Sequence, residues 1–66
     1  MKQLTRRECS VLQLVAHGAT TKEIAARLDV SASTVKFHVE NAMRKLGASS
    51  RSEAVALAIA GGCISP

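Results

Sequence analysis

The sequence predicts an all-α fold, a bundle of four helices, from three observations. Apolar residues recur at helical spacing in four runs, and no stretch shows the sustained alternation of a strand. A Ser or Thr followed three residues later by Glu, which is a capping-box sequence, stands before three of these runs. Glycine follows three of them, where it typically ends a helix. The predicted helices cover residues 6–17, 21–28, 32–46 and 51–60.

The helix starts follow from local capping chemistry. In each box the hydroxyl accepts one backbone N–H, and the carboxylate reaches back for another. The paired residues are Thr5 with Glu8, Thr20 with Glu23 and Ser50 with Glu53. The third helix begins after Ser31, a good N-cap, and ends before Gly47. Glu8 also lies near the core side of helix one, where Arg27 or Arg51 can pair with it.

Length and composition limit the class of protein. Sixty-six residues, 47% of them hydrophobic, suffice for one small domain, which we expect to span residues 1–66. No nucleophile triad, paired acids or P-loop appears, so neither an enzyme nor a cofactor is expected. No apolar run approaches the ~20 residues that cross a bilayer, and the start does not resemble a secretory signal. We therefore expect a cytoplasmic protein without a membrane partner.

The two cysteines, Cys9 and Cys63, lie near opposite ends of the chain. They lack C-x-x-C spacing and a neighbouring histidine cluster, so no metal site is expected. Disulfides persist mainly in oxidising compartments, and nothing in the sequence indicates export. Both residues are therefore interpreted as reduced thiols.

Helices two and three are separated only by Asp29, Val30 and Ser31. A short helix, a brief connection and a longer helix form a helix-turn-helix candidate, in which Val30 fills the space between the helices.

The helical-wheel arrangement of helix three strengthens this interpretation. Its core stripe contains Val35, Val39, Ala42 and Leu46, bordered by Met43. The opposite side holds Ser33, Lys36, Phe37, Glu40 and Arg44.

Phe37 is the only aromatic residue, and it is predicted to point away from the core. Either a loop or the N-terminus covers it, or it contacts a partner; the second interpretation is favoured because few residues are left to cover it. A thymine methyl or a sugar in the major groove suits Phe37, beside Lys36 on guanine or phosphate. The net charge of +4 makes nucleic acid the first partner to consider and an acidic membrane surface the second, but charge alone fits a merely soluble basic surface equally well.

The chain resembles the LuxR/GerE-type DNA-binding domain from Leu4 to Ile64. The resemblance rests on Leu4-Thr5-x-Arg7-Glu8-x-x-Val11-Leu12, Gly18-x-x-x-Lys22-Glu23-Ile24-Ala25-x-x-Leu28, Ser31-x-x-Thr34-Val35-Lys36-x-His38-x-x-Asn41, Lys45-Leu46-Gly47 and Arg51-x-Glu53-Ala54. It implies a cytoplasmic transcription regulator that binds double-stranded DNA, often as the output end of a longer protein. RNA polymerase is a further candidate partner.

The resemblance and the helix wheel together nominate the site residues. The expected base-reading residues are Lys36, Phe37 and Glu40. The expected backbone contacts are Thr20, Thr21, Lys22, Ser33, Thr34, His38 and Arg44. Glu40 stands where the family often has a basic or small residue. It can accept from a cytosine amino group or pair with Arg44 or Lys36, and the ion pair is slightly favoured.

Helix four is apolar on all sides. Ala54, Leu57 and Ala58 are assigned to the core, which leaves Ala56, Ile59 and Ala60 facing outward. A second apolar face suggests a partner helix, and the resemblance favours a weak homodimer on inverted half-sites. The alternative is that the alanines are only good helix formers and that Ile59 is a single exposed apolar residue without a partner.

Two other functions are compatible with parts of the pattern. A sigma-factor region-four-like domain also contains a helix-turn-helix, but the long fourth helix argues against it. A helical protein-interaction module with a basic face belongs to a different class. Salt-dependent binding to duplex DNA separates this module from the DNA-binding interpretations.

Overall fold

The computed structural model describes residues 3–66, which form four α-helices and no strand within that range. The helices are α1 Arg6–Ala16, α2 Thr21–Leu28, α3 Ala32–Leu46 and α4 Arg51–Ala60. The all-α prediction is confirmed, and each helix starts at the predicted residue. α1 ends one residue earlier than predicted because His17 has left helical geometry, with φ −86° and ψ 5°. Over the same residues, no helix has the length and apolarity that a membrane crossing requires.

Side-chain caps begin α1, α2 and α4, but only two of the three predicted capping boxes are complete. Thr5 and Thr20 each cap a glutamate N–H, and the carboxylates of Glu8 and Glu23 accept in return. At α4 the carboxylate of Glu53 accepts instead from the N–H and hydroxyl of Ser49, at 2.6 and 2.8 Å. Both bonds lower the pKa of Glu53, and the bond from the backbone N–H has the larger effect.

The core consists of two neighbouring clusters. One joins α1, α2 and α3 through Val11, Ile24, Ala25, Val35 and Val39. The other joins α1, α3, α4 and the C-terminal segment through Leu12, Ala42, Ala54, Ala58 and Ile64. Met43 packs against both clusters, so α3 is held along its length by the rest of the bundle. The predicted buried stripe of α3 is confirmed at its first three residues, Val35, Val39 and Ala42, while Leu46 is half-buried.

The outward face of α4 differs from the prediction at two positions. Leu57, assigned to the core, is 37% exposed. Ile59, assigned to the surface, is half-buried and packs against the second cluster. Because nearly every residue of this helix is apolar, the sequence offered little contrast from which to fix the orientation of the helix. The exposed apolar residues of its last two turns are therefore Ala56, Leu57 and Ala60.

The interpretation of the cysteines as reduced thiols is wrong for this structure. Cys9 and Cys63 form a disulfide across a sequence separation of 54 residues. α1 presents Cys9 to the segment that follows α4, where Ile64 is buried and Ser65 exchanges two hydrogen bonds with the Gln13 side chain, both 2.9 Å. The pairing depends on tertiary packing and therefore has no signal in the spacing of the two cysteines.

Candidate nucleic-acid interface

The turn between α2 and α3 is closed by backbone hydrogen bonds. Asp29 adopts the left-handed conformation, with φ 57° and ψ 48°. The N–H of Asp29 donates to Ala26, and that of Val30 donates to Ala25 at 3.0 Å, which together form a Schellman motif. Val30 packs on the first core cluster, as predicted, and Ser31 then caps α3. The turn therefore fixes the direction in which α3 leaves α2.

The exposed side of α3 carries the three residues predicted to read bases. Lys36, Phe37 and Glu40 are all exposed, and their spacing along the helix places them on one continuous strip. Phe37 is 60% exposed, so no loop within residues 3–66 covers it. Its ring meets the ring of His38 edge-on, with centroids 5.7 Å apart. The ring of Phe37 thus presents an apolar surface to solvent between the ammonium of Lys36 and the carboxylate of Glu40.

The ion pair predicted for Glu40 does not form within residues 3–66. Neither Lys36 nor Arg44 lies within salt-bridge distance of its carboxylate. Arg44 instead donates to the amide oxygen of Asn41 at 2.6 Å. Glu40 therefore keeps its acceptor oxygens exposed on the strip that Lys36 and Phe37 occupy.

The residues predicted to contact the DNA backbone lie on two elements. Ser33 and Arg44 are exposed on α3, where Thr34 and His38 are half-buried. The Thr34 hydroxyl shares a 2.9 Å hydrogen bond with Ser31. The others, Thr20, Thr21 and Lys22, occupy the start of α2. The structure brings the first group together along α3 and places the second at the N-terminus of the helix packed against it.

Arg51 is a candidate that our site prediction omitted. Its guanidinium donates to the Thr21 hydroxyl at 3.3 Å, which joins the first residue of α4 to the first residue of α2. The Arg51 side chain therefore brings an exposed cation to the start of α2, where the helix N-terminus already carries a partial positive charge. The sequence signals were the position of Arg51 at the start of a predicted helix and its place in the family motif, but the only contact predicted for its side chain was with Glu8.

The actual partner of Glu8 is Lys45, which neither alternative had included. The Lys45 ammonium lies 2.9 Å from one carboxylate oxygen and 3.2 Å from the other. The side chains are only 4% and 23% exposed, for Glu8 and Lys45 respectively. Burial raises the pKa of Glu8. The hydrogen bonds from Lys45 and Thr5 and the charge of Lys45 together lower it by more, so the pKa lies below its ordinary value. This pair fastens α3 to α1.

Acidic residues are mostly engaged at helix starts, whereas basic residues are mostly free to face solvent. Three of the five acidic residues, Glu8, Glu23 and Glu53, accept hydrogen bonds from backbone N–H groups at helix starts. The exposed Lys and Arg residues within residues 3–66 are Arg6, Arg7, Lys22, Arg27, Lys36, Arg44 and Arg51. The excess positive charge therefore lies on the surface, and part of it lies on α3 and at the start of α2.

A short helix, a closed turn and a longer helix with an exposed strip of Lys36, Phe37 and Glu40 define a helix-turn-helix domain. The sequence matches the bacterial regulatory proteins of the luxR family over residues 2–58, and the chain belongs to that family. It is a regulatory domain rather than an enzyme, as the sequence predicts. The family match also confirms the resemblance to the LuxR/GerE-type domain, on which part of the site prediction depends.

Individual relatives agree with the family assignment. The chain is 52% identical to the spore germination protein GerE of Bacillus subtilis (strain 168) over 52 residues, which are 79% of this chain and 70% of GerE. It is 48% identical to the transcriptional activator protein VanR of Vibrio anguillarum over 96% of its length, but it spans only 26% of VanR. The solved structure of the transcription factor GerE superposes with a TM-score of 0.92 at 37% identity, covering 98% of this chain and 97% of that one.

Proposed function

We propose that this domain binds specific sequences in double-stranded DNA and thereby regulates transcription in the cytoplasm. The observation that carries the proposal is the exposed strip of Lys36, Phe37 and Glu40 on the second helix of the helix-turn-helix. An aromatic ring that is 60% exposed is unusual for a residue that normally buries a large area. A thymine methyl supplies the missing apolar contact, and a major groove is wide enough to admit α3.

Each residue of the strip has a matching base edge. Lys36 donates to the acceptors of guanine, and Phe37 contacts a thymine methyl. Glu40, without an ion-pair partner among residues 3–66, accepts from a cytosine amino group. Ser33, Thr34, His38 and Arg44 on α3, with Thr20, Thr21 and Lys22 on α2, contact phosphates that flank the groove. Arg51 adds a cation beside this second group.

Selection of bound sites from random duplex DNA tests this function. The wild-type chain is expected to enrich one half-site, whereas Glu40→Ala relaxes the preference at a single base pair because it removes one acceptor. Thr21→Ala serves as the control and should reduce affinity without changing the selected sequence, since its proposed contact is a phosphate. An identical selected sequence for Glu40→Ala would remove Glu40 from the base-reading group.

Salt dependence separates the DNA-binding proposal from a protein-interaction module. Counterion release makes duplex affinity fall steeply and log-linearly with salt concentration. A chain that enriches no sequence and shows no such dependence would contradict the proposal as a whole.

The exposed apolar residues of α4 support a weak homodimer. Ala56, Leu57 and Ala60 form a small face on an otherwise well-packed helix. A helix face of this size favours self-association that DNA reinforces rather than a permanent dimer. A two-fold dimer would favour inverted half-sites about one helical turn apart.

Leu57→Asp is expected to weaken this self-association. Because Leu57 is 37% exposed, the change should spare the fold while placing a charge at the centre of the face. We expect the dimer dissociation constant to rise roughly tenfold or more in sedimentation equilibrium with operator DNA. Ser10→Asp, which adds the same charge at an exposed position of α1, should leave association unchanged. A monomeric wild-type protein on the operator would refute the dimer.

A further inference from the structure

The Cys9–Cys63 pair has a position that suits reversible chemistry. We propose that it is a dithiol–disulfide site, oxidised by hydroperoxides or low-molecular-weight disulfides, which locks the segment after α4 onto α1. Neither the luxR-family assignment nor the proposed DNA binding requires the bond. The proposal concerns the chemistry and stability of the domain and can be tested without DNA.

The geometry of the backbone favours bond formation. The Cα atoms are 6.1 Å apart, within the range that a disulfide spans without backbone movement. Both positions are fixed by packing, since Cys9 and Cys63 lie against the second core cluster beside the buried Ile64. The two sulfur atoms therefore remain neighbours when the bond is broken.

Small reagents can reach both residues. Cys9 and Cys63 are half-buried and line two open grooves, one bordered by Leu46 and Leu57 and the other by Gln13 and Leu28. Thiol–disulfide exchange needs such access, because a thiolate must approach one sulfur of the bond. The site is thus open to a reductant without prior unfolding.

The reduced protein keeps other contacts in the same region. Ile64 is buried, and the Gln13 side chain donates to the Ser65 carbonyl and accepts from its N–H. Ala54 and Ala58 hold α4 in the core independently of the sulfur atoms. We therefore expect the reduced protein to keep its four helices and the packing of the C-terminal segment, but to unfold at a lower temperature.

A hydroperoxide accepts the two electrons that the two thiols lose when the disulfide forms. A Cys9 or Cys63 thiolate attacks a peroxide oxygen, the O–O bond breaks, and a sulfenic acid and an alcohol or water form. The second thiol then displaces water from the sulfenic acid to give the disulfide. In total two thiols lose two electrons and two protons to the peroxide. A low-molecular-weight disulfide accepts the same two electrons through a mixed disulfide.

The test combines thiol counting with thermal unfolding of the full chain. Dithiothreitol should release two thiols under native conditions, and hydrogen peroxide should remove both again, with little change in far-ultraviolet circular dichroism. Because the bond closes a loop across a sequence separation of 54 residues, the oxidised form should melt roughly 10–25 °C above the reduced form.

Single-cysteine variants provide the control. Cys9→Ser and Cys63→Ser should both melt near the reduced wild type and should not respond to either reagent by a shift in melting temperature. If one variant fails to fold, the comparison of reduced and oxidised wild type still decides the matter. The proposal would be overturned by any one of three results: the thiols stay free in peroxide, the bond is reduced only in denaturant, or the oxidised and reduced forms melt at the same temperature.

Discussion

Glu8→Gln is expected to lower the free energy of unfolding by about 2 kcal/mol, and Lys45→Met by about 3 kcal/mol. The glutamine still accepts from the Thr5 N–H, so the first change removes mainly the ion pair with Lys45. The second change costs more because it leaves a carboxylate that is 4% exposed without its cation. Either loss is large for a domain of this size, whose total stability is of the order of 5 kcal/mol.

The second capping box supplies a matched control. Thr20 and Glu23 repeat the hydrogen bonds of Thr5 and Glu8 almost to the tenth of an ångström, but Glu23 is exposed and has no lysine partner within residues 3–66. Glu23→Gln should therefore cost about 0.5 kcal/mol or less. A cost equal to that of Glu8→Gln would mean that capping, not the ion pair, explains the effect.

Denaturant unfolding of both single variants and the double variant measures the coupling. We expect the Glu8 and Lys45 changes to be non-additive by about 1–2 kcal/mol, because the two side chains are in direct contact. The pH dependence gives an independent check. Since the folded pKa of Glu8 is lowered, its contribution is present above the unfolded pKa and is lost as pH falls through the folded pKa. Below about pH 5 the wild type should lose stability faster than Glu8→Gln.

The helix starts were predictable because their causes are local. A capping box spans four consecutive residues, so Thr5 with Glu8 and Thr20 with Glu23 could be recognised directly in the sequence. The same holds for Ser31 before α3 and for the exposed strip around Phe37, which follows from the helical repeat. Glu53 shows the limit of this reasoning. Its carboxylate accepts from the N–H of Ser49, which lies outside the four-residue motif, and not from the N–H of Ser50.

The contacts that were missed join distant parts of the chain. Lys45 is 37 residues from Glu8, and two arginines were equally acceptable partners on charge alone. Cys9 and Cys63 meet only because α1 and the segment after α4 pack together, and their expected state had been inferred from the compartment rather than from geometry. Leu57 was misplaced because a uniformly apolar helix has no polar side from which to determine its orientation.

Lys36→Ala is expected to weaken binding to the selected site by roughly 10- to 100-fold, with a change of only a few-fold on unrelated duplex DNA. Lys36 is exposed on the α3 strip beside Phe37, where an ammonium meets guanine acceptors in the major groove. Loss of a base contact affects the specific complex selectively, because a non-specific complex does not form it. The measurement is a pair of titrations, on the selected site and on a scrambled duplex, at several salt concentrations.

Lys22→Ala is the matched control, since it removes the same charge from the start of α2. Its proposed contact is a phosphate, which exists in every sequence, so affinity should fall by a similar factor on both duplexes. The slope of log affinity against log salt should decrease in magnitude by about one. Lys36→Ala should change specificity much more than Lys22→Ala does. If Lys36→Ala instead weakens both duplexes equally, Lys36 contacts the phosphate backbone, and sequence readout must depend on Phe37 and Glu40.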